Sequence, residues 1–258
     1  MCGRRVLITG GAGHLGRVMA ETLAELGSSI VLLDVPGSNF SDIEAYIKKH
    51  WNVNCSSITC DLESESCRNN AIQKLKSDGI GLNCLINNAA FAGSTVLDGW
   101  LTSFEGQTLD TWRRAMEVNL TAAFHLSQAF TPMLMAAEGA NIINITSIYG
   151  EFGPDWRLYE GTSMGNPAAY GVSKGGLVQL TRWLSSTIAP QVRVNAISPG
   201  GIYRNQPKSF VDRYIAKTPL ARMATEDDFR GVVAFLASDL SNYVTGQIFN
   251  VNGGWNIA

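Results

Sequence analysis

Seven short apolar runs recur along this chain, and a stretch of helical spacing separates most of them from the next. They are Arg5–Thr9, Ser29–Asp34, Cys55–Cys60, Leu82–Ile86, Asn141–Thr146, Val192–Ile197 and Gln247–Val251. The helical stretches are Leu15–Leu26, Asp42–His50, Ser64–Ser77, Thr108–Ala137, Ala168–Ile188 and Glu226–Ala237. Runs of this kind belong to strands buried on both faces, as in a parallel sheet covered by helices. Parallel neighbours need crossover connections, which are nearly always right-handed. The pattern therefore predicts an α/β fold, a doubly wound (Rossmann-type) seven-stranded parallel sheet. With no internal repeat and no linker, one domain is expected over residues 1–258. Such sheets bind ligands beyond the carboxyl ends of their strands. Two connections, 89–107 and 151–167, are long and polar enough to be substrate loops.

The first strand runs into ITGGAGHLG, with Gly10, Gly13 and Gly16 three residues apart. A glycine triplet alone says little. Between a strand and a helix it lets the chain turn sharply and brings a pyrophosphate onto free helix N–H groups. Gly10, Gly13, His14, Leu15 and Gly16 are therefore expected to line a dinucleotide site. Asp34 ends the second strand, 18 residues after Gly16. A carboxylate there accepts hydrogen bonds from the ribose hydroxyls of NAD and repels the 2′-phosphate of NADP. NAD is the expected cofactor.

Tyr170 and Lys174 stand at i and i+4 in a helical stretch, so they share a face. A free tyrosine titrates near pH ~10, and a neighbouring ammonium favours its phenolate. The pair suits general acid/base work.

Taken with their order, these motifs resemble the short-chain dehydrogenase/reductases over essentially the whole chain. The supporting set is TGGAGHLG, Asp34, Asp61-Leu62, Asn87-Asn88-Ala89-Ala90, Asn119 in EVNLTAAF, Ser147 in NITSIYG, Tyr170/Lys174 and Pro199-Gly200-Gly201. The resemblance implies that Tyr170 moves the substrate proton. Lys174 would lower its pKa and hold the nicotinamide ribose. Ser147 would bind the substrate oxygen, and Asn119 would hold a water linking Lys174 to solvent. Asp61 and Leu62 would flank the adenine. Asn87 and Ala89 would line the cleft, and Pro199, Gly200 and Ile202 the nicotinamide. The subgroup it most resembles comprises dehydrogenases of flagellin-modification and surface-polysaccharide pathways, which share the stretches YGEFGPDW and PGGIYRNQP.

Four departures stand out. The loop glycine spacing is that of the longer, sugar-nucleotide branch, with His14 in the place of a glycine. Ala90 replaces a usual glycine. Ser147 and Tyr170 lie 23 residues apart, further than is usual in the family, with the added residues beside the serine. Arg204 stands where a threonine is common. The added segments are polar and aromatic, so Trp100, Trp156, Arg157 and Arg204 are candidate substrate contacts, the arginines for a phosphate. A sugar or sugar phosphate is the expected substrate.

Lys and Arg number 20 against 22 Asp and Glu, a formal net charge of −2, with no basic run. Neither nucleic acid nor a membrane is an expected partner. The five cysteines and three histidines show no metal-ligand spacing, so no metal is expected. With no signal-like leader, the reading is a cytoplasmic enzyme. The two long helices are apolar enough to pair across subunits, implying a dimer or tetramer, and the apolar end 253–258 could pack at another interface. Two other readings compete. An acyl-carrier ketoreductase would favour NADPH and a basic surface. A non-catalytic dinucleotide sensor would tolerate loss of Tyr170.

Overall fold

The structure, a computed structural model, describes residues 1–91 and 97–257. Residues 92–96 of the 89–107 loop, and residue 258, lie outside that description.

Seven parallel strands form one sheet in the order β3-β2-β1-β4-β5-β6-β7. They are β1 (Arg5–Thr9), β2 (Ser29–Asp34), β3 (Cys55–Thr59), β4 (Cys84–Asn87), β5 (Asn141–Ile145), β6 (Arg193–Pro199) and β7 (Ile248–Val251). Because side chains alternate along a strand, consecutive apolar residues feed two cores. Leu7, Val31, Leu85, Ile142 and Val194 pack on one face, with Leu126 and Phe130 above them. Val6, Ile8, Ile30, Leu32, Ile86 and Ile143 pack on the other, with Met19, Leu23 and Leu236.

The covering helices are α1 (His14–Glu25), α2 (Phe40–Trp51), α3 (Glu65–Ser77), α4 (Leu109–Met116), α5 (Ala122–Met135), α6 (Ala168–Thr187), α7 (Lys208–Lys217) and α8 (Arg230–Ala237). The helix expected over Thr108–Ala137 is broken by a π-helical turn at Glu117–Thr121, between α4 and α5. The helix expected from Glu226 opens as a 3₁₀ turn, Glu226–Phe229, under a capping box of Thr225 and Asp228. α7 was not foreseen.

The strand order reverses between β1 and β4, which opens a crevice at the carboxyl ends of the sheet. Among the described residues, no helix is long and apolar enough to cross a membrane.

Candidate active site

The crevice holds a cleft of about 700 Å³, lined by Gly10, Gly13, His14, Leu15 and Gly16 from the first loop. Asp34, Asp61, Leu62, Ala89 and Arg204 complete much of the wall. Gly10 has φ +62°, and a Cβ on it would lie 2.9 Å from the Ala89 Cα. A Cβ on Gly16 would lie only 2.0 Å from the Gly10 carbonyl oxygen. The loop can thus close against β4 and α1 only with glycine at these places. α1 starts with no side-chain cap and no acidic residue in its first turn, leaving its N–H groups to an anion. The Asp34 carboxylate accepts from Ala12 N at 2.9 Å and Val35 N at 2.8 Å, which ties it to the glycine loop. The cradle fits a dinucleotide.

The expected Asn87 contact is corrected. Asn87 is buried, and its side chain donates to Asn144 Oδ1 at 2.8 Å and Ser127 Oγ at 3.2 Å. Its place on the strand turns it under the sheet, and Asn88 lines the cleft.

Beside the cleft, a pocket of about 200 Å³ contains Ser147 and Tyr170, with Pro199, Gly200 and Ile202 along one wall. Ser147 follows β5, and α6 carries Tyr170 and Lys174 one turn apart. Tyr170 is hydrogen-bonded to Ser147. The buried Lys174 Nζ lies 6.0 Å from the Tyr170 ring centroid and donates to the Ile145 carbonyl at 2.7 Å. Burial pulls the lysine down to about 8. Burial also pushes the tyrosine up, against the opposing hydrogen bond from Ser147.

Asn119 sits on the π-helical turn and is buried. Its Oδ1 accepts from Phe91 N at 2.6 Å, and its Nδ2 donates to Ser173 Oγ at 2.9 Å. Ser173 Oγ in turn donates to the Tyr170 carbonyl at 2.9 Å. π-turns recur at functional sites because they re-aim one side chain. Here the carboxamide straps the loop after β4 to the helix that carries Tyr170.

Three substrate candidates are corrected. Trp100 is 1% exposed and packs edge-on to Phe91, with ring centroids 4.9 Å apart. It is core. The Arg157 side chain is 80% exposed and pairs with Asp155 at 2.7 Å, outside the pocket. Arg204 faces the dinucleotide cleft instead, held by Glu226. Trp156 is exposed and lines a neighbouring groove with Phe104 and Phe152, reached past Tyr149 and Asn166.

The sequence reading missed Phe210 and Tyr214 of α7, which wall the pocket. Pro207 followed by apolar residues at 210, 211, 214 and 215 was the available signal. The Tyr214 hydroxyl accepts from Gly201 N at 2.5 Å. The C-terminal run does not stay free for an interface at Trp255, which is buried among Tyr149 and Tyr214.

Residues 10–256 match the family described as enoyl-(acyl carrier protein) reductase. The chain is 28% identical to a 3-oxoacyl-[acyl-carrier-protein] reductase of Aquifex aeolicus, over 98% of this chain and 97% of that one. It is 25% identical to the post-translational flagellin modification protein A of Campylobacter coli, over 98% of each. A solved NAD⁺-bound xylitol dehydrogenase superposes with a TM-score of 0.85 at 29% identity, covering 98% of this chain and 99% of the other. Solved neighbours carry NAD⁺ in some cases and NADP in others.

Proposed function

This chain belongs to the short-chain dehydrogenase/reductases, oxidoreductases of alcohol and ketone groups, and on that premise we propose an NAD(H)-dependent enzyme for a secondary alcohol or ketone of a sugar-like substrate. The observation that carries the proposal is the Ser147–Tyr170 hydrogen bond between two residues that line the pocket, with Lys174 one turn on. When bound, the nicotinamide supplies or accepts the hydride. Tyr170 gives its hydroxyl proton to the ketone oxygen in reduction and takes the alcohol proton in oxidation. Ser147 hydrogen-bonds the same oxygen and steadies the charge that develops on it. Lys174 adds positive charge behind the tyrosine. Asn119 fixes α6 through Phe91 and Ser173. The loops at 89–107 and 151–167 shape the substrate side.

Asp34 supports NAD over NADP. Arg17, the nearest cation on α1, pairs with Glu21 at 2.8 Å and lies 5.4 Å over the Tyr46 ring. Likeness to a protein named for post-translational flagellin modification supports a role in modifying a surface structure. The groove of Leu120, Phe124, Leu180 and Trp183, with Phe124 on α5 and Trp183 on α6 exposed, supports a homo-oligomer, dimer or tetramer.

The test is NADH absorbance with the purified protein. Sugar alcohols and keto-sugars, with NAD(H) or NADP(H), are compared with acyl thioesters. The expected result is NAD-linked turnover on the sugars. Tyr170→Phe should lose roughly 10²–10⁴-fold in kcat while NADH still binds. Turnover only with NADPH and a thioester would favour the acyl-carrier ketoreductase that the Aquifex relative is named for. Function unharmed by Tyr170→Phe would favour a sensor.

A further inference from the structure

The pocket beside Ser147 and Tyr170 holds polar groups but no charged side chain among its lining residues. Residues 92–96, AGSTV, carry no charged side chain. The two arginines that could have met a phosphate are elsewhere, one paired at the surface and one in the cleft.

What the pocket offers instead is a hydroxyl cluster. Tyr149 and Tyr159 share a hydrogen bond of 2.6 Å, and Tyr159 is also bonded to Asn166. Tyr159 and Asn166 are each 8% exposed, and both line the pocket with the catalytic pair. Their mutual bonds use only part of their hydrogens, so a donor is left over whichever way those bonds run. Around the cluster stand the rings of Phe210 and Tyr214, apolar faces for the C–H side of a polyol.

Building on the oxidoreductase reading, we infer that the substrate's reacting end is uncharged and hydroxylated, and that Tyr159 and Asn166 bind a hydroxyl beside the reacting carbon. A phosphate or carboxylate in this pocket would lose its hydration and meet no charged lining side chain, the Lys174 ammonium behind Tyr170 being bonded to the Ile145 carbonyl. A neutral hydroxyl exchanges its water partners for the Tyr159–Asn166 pair at little cost.

The experiment compares neutral pentitols and hexitols with their phosphate esters and their aldonates. Binding is read by saturation-transfer NMR on the NADH-loaded protein, and turnover by absorbance with NAD⁺. The neutral polyols are expected to bind at least roughly tenfold tighter than either charged form. Tyr159→Phe should cost a vicinal diol roughly ten- to a hundredfold in kcat/KM. It should cost an alcohol with no neighbouring hydroxyl several-fold less. Asn166→Ser, a milder change in the same pair, should move the same ratio in the same direction. Charged forms binding as well as neutral ones, no binding of neutral polyols, or an equal loss on both alcohols would overturn the inference. Absence of turnover alone would count against the oxidoreductase reading, because the binding preference is measured without it.

Discussion

Lys174 carries a conflict between stability and chemistry in a single side chain. Its pKa falls from 10.5 to about 8 on burial. The unfolded chain holds that proton more tightly, so charged Lys174 costs the fold about 3 kcal/mol below pH 8. The cost is relieved as pH rises from about 8 through 10.5. Lys174→Met should therefore raise the melting temperature at pH 7 by a few degrees. Scanning calorimetry across that window should find the gain shrinking as pH climbs, while activity is lost throughout. A gain independent of pH would mean that packing, and not the charge, was responsible. Tyr170 adds a second pH dependence, since oxidation needs its phenolate and reduction its phenol. Its pKa is raised, so oxidation should climb through the alkaline range while reduction falls, as paired initial-rate profiles would show.

At the scale of elements, the glycine loop separates steric necessity from mere habit. Gly16→Ala puts a methyl against the Gly10 carbonyl, a rigid backbone atom, and the turn must open. Gly13 has φ −73°, and a Cβ there would meet the same oxygen at 3.3 Å. NADH titration by fluorescence should show Gly16→Ala losing at least roughly tenfold in affinity, with Gly13→Ala much closer to wild type. Equal losses would place the constraint elsewhere in the loop. The strands and most helices were legible because apolar period and glycine punctuation are local signals. α7 was overlooked although Pro207 and the spacing of Phe210 and Tyr214 announced it. The π-turn was not legible, because one extra residue per turn leaves no mark on the apolar pattern. That turn nevertheless puts the Asn119 carboxamide within reach of both Phe91 and Ser173.

For the molecule as a whole, the apolar patch on α5 and α6 bears on the proposed homo-oligomer. Phe124 is 43% and Trp183 55% exposed, side by side in one shallow groove. Aromatic residues in such a patch commonly form subunit contacts. If the proposed homo-oligomer forms through this face, Trp183→Glu should shift the sedimentation coefficient toward that of a 27.9 kDa monomer, and an unchanged coefficient would count against this face as an interface. The sequence by itself set out the candidate site residues in order along the chain: the glycine loop, Asp34, Ser147 and Tyr170 with Lys174. Each is set by local geometry, such as a turn that only glycine makes or a pair one helical turn apart. Only the tertiary structure decided where the candidate substrate side chains lie. Trp100 was drawn into the core by Phe91, Arg157 was captured by Asp155 two residues away, and Arg204 was held by Glu226 at the cleft. Residue type fixes what a side chain can bind, but burial and nearby partners fix what it does bind, and both are set only when the loops fold onto the core.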